Sequence, residues 1–244
     1  MLGEPAQHLY PEGYQFRMPP LNKKSSINRL FEVAIKISRR GPRFAAAYFK
    51  EIVLFDLLNR TDTRGRKTNN NMSDENIYYV ASFTSVAAET IDHARQALGG
   101  KFAHWQFVDI GSGKGKVVLV YAQRYGTEAR HPPIGIEYDA KLAAIANANI
   151  AKLGFDRVGA KVQVDDARNI RAHVDTEGLV LFLYNPFFGS LFHEFISELA
   201  SIPHMLIYVD PVEREYLLAN GYTIMAEHKG RYNADTWVIA ASKA

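Results

Sequence analysis

Phe107-Val108-Asp109-Ile110-Gly111-Ser112-Gly113-Lys114-Gly115-Lys116 is the stretch on which the reading of this chain turns. An apolar run carries Asp109 to the end of a strand, and glycines follow at 111, 113 and 115. Glycine lets the backbone turn sharply and come closer to a ligand than any Cβ allows. The pattern predicts a helix over Lys114–Arg124, so the loop meets a helix N-terminus with free N–H groups. Together these features point to a nucleoside-bearing ligand.

Spacing separates three kinds of glycine loop. A nicotinamide or flavin fingerprint, G-x-G-x-x-G, needs a third glycine where Lys116 stands. A phosphate-binding P-loop, G-x-x-x-x-G-K-[ST], fails at Ile110 and again at Val117. The remaining pattern, D-x-G-x-G-x-G, resembles motif I of class I S-adenosylmethionine (SAM) methyltransferases. That resemblance implies that Asp109, Gly111, Ser112, Gly113 and Gly115 wrap the amino-acid part of the cofactor.

Further strand-end signals follow in order. Pro133-Ile134-Gly135-Ile136-Glu137 closes on a carboxylate able to accept two hydrogen bonds from a ribose diol. Lys161–Val164 closes on Asp165-Asp166-Ala167. The resemblance implies that Asp166 meets the adenine amino group and the Ala167 N–H a ring nitrogen, with Asp165 as the alternative to Asp166. Leu179–Tyr184 runs into Asn185-Pro186-Phe187-Phe188, which resembles motif IV. Pro186 is expected to bias Asn185 towards an extended backbone. Asn185, Pro186 and Phe187 form the expected catalytic set: the Asn185 amide and neighbouring carbonyls accept from an N–H nucleophile, and Phe187 or Phe188 offers a ring face. Asn185 is also expected to touch the cofactor. Phe187 stands where the Asn/Asp-Pro-Pro-aromatic signature of amino- and amide-nitrogen methyltransferases has a second proline.

Asp62-Thr63-Arg64-Gly65, the segment Ile77–Ser82, D-I-G-S-G-K-G and L-Y-N-P-F resemble a group of small bacterial SAM-dependent methyltransferases. More distantly, Tyr79-Val80-Ala81-Ser82 is similar to the Y-V-P-S stretch of ATP-synthase c-subunit-type lysine methyltransferases, with Ala81 in place of the proline. By that resemblance Tyr79 and Ser82–Ser85 line the methionine end of SAM.

The expected fold is α/β: a Rossmann-like, seven-stranded methyltransferase sheet with a final antiparallel hairpin, plus an N-terminal helical extension. Strands are expected near 107–110, 133–137, 161–164, 179–184, 205–209, 222–228 and 235–241, and helices near 114–125, 139–153, 190–200 and 212–219. Residues 1–75 read as an arm and basic helical extension, and residues 76–244 as the SAM-binding domain. Ser26–Ile37 and Arg43–Leu58 carry helical periodicity, and Ser85–Leu98 reads as the helix before the first sheet strand. Ile52, Val53, Phe55, Leu57 and Leu58 are too apolar to face water freely, so they are expected to pack on the catalytic domain or on a second subunit.

Composition closes off other chemistries. The chain has no cysteine, which excludes disulfides and thiol catalysis. Its histidines form no H-x-x-x-H or H-E-x-x-H pair, so no metal is expected. No apolar leader or bilayer-length run is present, and the expected location is the cytoplasm. Residues 1–70 hold thirteen of the 29 Lys/Arg and only six of the 26 Asp/Glu. This basic segment keeps RNA open as an acceptor beside a protein or small molecule. The readings are therefore a nitrogen methyltransferase, an RNA methyltransferase, or a non-catalytic SAM-binding partner subunit, with a homodimer through the N-terminal helices as an expected assembly.

Overall fold

A computed structural model describes residues 42–67 and 79–242. The expected helix at Ser26–Ile37 and the segment Ile77–Tyr78 lie outside the described residues. From Ala46 onward the chain forms one compact unit.

Within this unit lie a short antiparallel pair, β1 (Arg66–Lys67) and β2 (Tyr79–Val80), and a seven-stranded sheet. The sheet strands are β3 (Gln106–Ile110), β4 (Ile134–Glu137), β5 (Lys161–Val164), β6 (Leu179–Tyr184), β7 (His204–Val209), β8 (Thr223–His228) and β9 (Trp237–Ala241). Their spatial order is β5-β4-β3-β6-β7-β9-β8. Strands β3 to β7 pair in parallel, and β9 runs antiparallel to both its neighbours. The chain builds outward from β3 to β5 and then returns to β6 on the other side of β3. The carboxyl ends of β3 and β6 thus form the topological switch point, where open α/β sheets have their ligand crevice. The Rossmann-like sheet and its closing antiparallel strands are as the sequence predicts.

The central strands are buried along nearly their whole length and mostly apolar, because both faces are covered. On β6, Val180 and Phe182 join one buried cluster with Phe107 of β3 and Ile207 of β7. Leu179, Leu181 and Leu183 point the other way, into a cluster with Phe192, Phe195 and Leu217. The edge strands differ: β5 exposes Lys161, and β8 alternates exposed with partly buried residues along much of its length. Polar edges of this kind discourage pairing with other chains.

Local chemistry sets the boundaries. The helix after the glycine loop spans Lys116–Tyr125, two residues later than predicted, because Gly115 is its N-cap at φ 79°. Asp139 caps the helix Ala140–Lys152, its carboxylate accepting from the Lys141 and Leu142 N–H groups. The predicted helix over Arg43–Leu58 is three pieces: Pro42–Tyr48, a π-helical turn Phe49–Val53, and Leu54–Asn59. The extra residue of the π turn shifts the helical phase. Ile52 and Phe55 are buried as expected, but Leu57 and Leu58 stand 56% and 74% exposed.

Candidate active site

The glycine loop is held at both ends. Gly111 and Ser112 donate their backbone N–H groups to the Ile136 carbonyl on β4, and Gly115 donates to the Ser112 carbonyl. Gly111, Gly113 and Gly115 have φ of 69°, 55° and 79°, a region other residues rarely adopt. The space beside them is filled. A Cβ on Gly111 would lie 2.6 Å from Cβ of Pro186, and one on Gly113 would lie 2.0 Å from the Tyr79 ring. The first and fourth strand-end motifs, and the predicted Tyr79, therefore converge on one loop.

Asp109 and Glu137 lie side by side beneath it, 3% and 6% exposed. The Glu137 carboxylate accepts from the Gly113 N–H at 2.7 Å and from the Asp139 N–H at 2.8 Å. Burial, and then the charge of Glu137, push the Asp109 carboxyl well above its ordinary range. Oδ2 of Asp109 and Oγ of Ser112 are buried and have no hydrogen-bond partner among the described residues. Buried polar atoms left in this state ask for a ligand or a proton.

At the end of β5, Asp166 is gripped by Arg168, accepting from its backbone N–H at 2.9 Å, Nε at 3.0 Å and Nη2 at 2.8 Å. Asp165 is held by Asn169 and His173. These bonds hold both carboxyls below their usual range. Ala167 opens the short helical turn Ala167–Ala172 that Asp166 caps. Tyr138, directly after Glu137, is 58% exposed, and Val164, paired with Glu137, is 55% exposed. Sequence reasoning passed over this pair, although an aromatic next to a strand-end carboxylate was the available signal.

The end of β6 departs from expectation. Asn185 is not extended: its φ is +37°, despite the following Pro186. Such a conformation in a non-glycine residue costs on the order of 1–3 kcal/mol and persists only where surrounding contacts impose it. Asn185 is 4% exposed, and its Nδ2 donates to Oδ2 of Asp210 at 3.3 Å. Phe187 turns inward and packs edge-on against Phe195, with centroids 5.5 Å apart. Phe188, 37% exposed, is the ring of this motif that reaches the surface. In the helix that follows, Glu194 bonds Arg168 and His193 stacks on Tyr216.

A brace behind the loop was not visible from the motifs. Asp56, 2% exposed, accepts from Oγ1 of Thr61, from the N–H and Oγ1 of Thr63, and from the Arg64 N–H. This folds residues 61–65 into a compact turn. Lys114, inside the glycine loop, reaches Oδ1 of Asp62 at 2.8 Å and the Arg64 carbonyl at 2.7 Å. Asn149 ties the Asp62 and Lys114 carbonyls together, and Tyr79 donates its hydroxyl to the Thr63 carbonyl. Lys116, 3% exposed, donates to the Glu51 and Ser82 carbonyls. Burial pulls its ammonium down to about 8, against the opposing charges of Asp56 and Glu51. Among the described residues no cluster of three or more His, Asp or Glu could hold a metal ion. None of their helices is long and apolar enough to cross a membrane.

Neither protein-family models nor curated proteins match the chain. Solved structures do. MtNAS, crystallised in complex with MTA and tNA, superposes with a TM-score of 0.50 at 15% identity, over 66% of this chain and 61% of MtNAS. TrmN from Thermus thermophilus gives 0.45 at 15% identity, over 65% of this chain and 51% of its own. The ribosomal protein L11 methylase from Lactobacillus delbrueckii subsp. bulgaricus gives 0.44 at 16%, over 65% and 76%. The chain thus spans about three-fifths of MtNAS and half of TrmN. At 15% identity the likeness to MtNAS shows the fold alone, the Rossmann-like α/β sheet described above.

Proposed function

We propose that this chain is a class I SAM-dependent methyltransferase that acts on a nitrogen nucleophile of a protein side chain or a small molecule. The observation that carries the reading is the convergence of residues at the switch point, at the carboxyl ends of β3 and β6. There a loop with glycine at 111, 113 and 115, two buried carboxylates and the Asn185-Pro186 turn meet. In this reading residues 76–244 are the SAM-binding domain and residues 1–75 an extension, part of which braces the loop.

The residues present suit the cofactor. Asp109, Ser112 and the loop N–H groups would hold its amino-acid end, with Tyr79 against Gly113 as a wall. Glu137 would take the ribose diol, and Asp166 with the Ala167 N–H the adenine edge, between the exposed Tyr138 and Val164. The orphaned Oδ2 of Asp109 and Oγ of Ser112 would gain partners. When bound, SAM supplies an activated methyl group on a sulfonium. The chain's own task is to align the acceptor nitrogen, because orientation alone is worth several kcal/mol. Asn185 lies where it can do this, at the end of β6 beside the loop. The packed Phe187 holds the turn from beneath, and Phe188 is left to meet the acceptor.

Isothermal calorimetry with SAM and S-adenosylhomocysteine, with NAD and ATP as controls, tests the reading. Binding of the two sulfur nucleosides alone supports it; no binding by folded protein removes it. Asn185→Ala should then lower methyl transfer more than SAM binding. Equal loss of both would make Asn185 a residue of the cofactor site or the fold.

A further inference from the structure

We infer that Asp210 forms with Asn185 a single acceptor-recognition unit that selects an amine docking in its cationic form. That amine gives its proton to water before the neutral nitrogen takes the methyl group; the inference rests on the methyltransferase reading above. Strands β6 and β7 run parallel and stay in register to the pair Tyr184–Val209. The next residue of each, Asn185 and Asp210, leaves the sheet beside the other. Each is followed by a proline, Pro186 and Pro211. Each has a left-handed backbone, φ 37° and 52°. Among the described residues the only other non-glycine residue in this region is Arg60. A residue before proline is sterically driven away from such angles, so two neighbouring strand ends share the same uncommon geometry.

The side chains make the pair asymmetric in a useful way. A carboxylate only accepts hydrogen bonds, so Asp210 fixes which end of the Asn185 amide faces it. Nδ2 of Asn185 donates to Oδ2 of Asp210 at 3.3 Å, and Oδ1 is left to the Tyr208 hydroxyl at 3.4 Å. The other carboxylate oxygen of Asp210 accepts from Nδ2 of Asn233 at 3.0 Å. All of these partners are neutral, and no ion pair to Asp210 is present among the described residues. A partly buried negative charge is therefore held by dipoles alone.

Position assigns this charge to the acceptor. The glycine loop, Glu137 and Asp165–Asp166 stand at the ends of β3, β4 and β5, on one side of the switch point. Asn185 and Asp210 stand at the ends of β6 and β7, on the other. A group entering there meets an uncompensated carboxylate beside a fixed amide. An ammonium, rich in N–H donors and positive, satisfies it; a carboxylate or phosphate is repelled.

The test uses the full-length protein saturated with S-adenosylhomocysteine. It is titrated with the N-methylamides of N-acetyl-lysine, N-acetyl-norleucine and N-acetyl-glutamate, and with n-butylamine and adenosine. The lysine probe should bind at least tenfold more tightly than its uncharged norleucine counterpart. That preference should collapse in Asp210→Ala and in the near-isosteric Asp210→Asn, with S-adenosylhomocysteine affinity unchanged. Binding of n-butylamine as tight as the lysine probe would assign the site to free amines rather than peptide side chains, within the same chemistry. Equal binding of lysine and norleucine probes by the wild-type protein, tighter binding of adenosine, or a preference that survives in Asp210→Asn overturns the inference. Loss of S-adenosylhomocysteine binding in the wild type overturns instead the reading on which it rests.

Discussion

The ring of Tyr79 lies against the backbone of Gly113 so closely that a single added methyl group would sit 2.0 Å from its Cε2. The phenol hydroxyl is spent on the Thr63 carbonyl, and burial, followed by the charge of Asp56, drives its ionisation far above the ordinary range. Tyr79 is thus a neutral wall, fixed at one end, on the glycine loop.

This contact makes Gly113→Ala a sharp probe. The substitution meets both the φ of +55° and the Tyr79 ring. It should destabilise the fold by about 1–3 kcal/mol through backbone strain alone, with the clash in addition. Only the clash depends on Tyr79. Denaturant unfolding of Gly113→Ala, Tyr79→Ala and the double variant should therefore show a combined cost smaller than the sum of the two singles. Strict additivity would mean that ring and loop do not bear on each other.

Glu137 binds two loop N–H groups, so its removal acts on the site as well as on a ligand. Glu137→Ala should weaken SAM by roughly 1.5–3 kcal/mol, the range for a hydrogen bond to a charged group. Calorimetry on a variant shown to be folded checks it. Unchanged affinity would refute the ribose assignment.

Asp109 gives a pH test with a definite sign. Its carboxyl is raised well above 3.8 by burial and by Glu137, so the folded state holds this proton more tightly than the unfolded state. Its contribution to stability is complete below the unfolded value, about 4. It is lost as pH rises from there through the folded value. Asp109→Asn stays neutral throughout. The Tm of the variant should exceed that of the wild type by a margin that grows with pH above about 4. Parallel Tm curves across this range would show that the buried carboxyl is not perturbed.

Asp56 tests the brace. Asp56→Ala strips the turn 61–65 of its central acceptor and leaves buried donors on Thr61 and Thr63 unpaired. Stability should fall by about 3 kcal/mol, of the order expected for lost charge-assisted bonds plus orphaned donors. SAM affinity should fall as well, because the turn holds Lys114 and Tyr79. A destabilised variant with unaltered affinity would separate the brace from the site.

What the sequence determined by itself is the part of this protein written in local pattern. The apolar run Leu179–Tyr184 before Asn185 specifies a strand covered on both faces, and shorter strand patterns ending in Asp109, Glu137 and Asp165 mark the others. The alternate glycines specify a tight loop with left-handed backbone at 111, 113 and 115. Their spacing excluded two families of ligand. The closing antiparallel pair is what the methyltransferase resemblance implies, whereas the strand order became legible only in the folded sheet.

Tertiary structure alone decided what depends on residues far apart in the chain. Asn185 and Asp210 are 25 residues apart and meet only because β6 and β7 pair in register, so the strain at Asn185 has no local signature. The π turn at Phe49–Val53 left no trace in the periodicity, yet its extra residue sends Leu57 and Leu58 outward and Glu51 and Asp56 inward. Phe187 and Phe188 are equivalent as letters. Which one packs inward is settled by the space beneath the turn, where Phe195 waits. Lys116 looked like a missing glycine and proved to be a buried ammonium joining the glycine-loop helix to residues 51 and 82. A charge so placed is stable only when carbonyls from distant segments surround it, and sequence spacing carries no record of that enclosure.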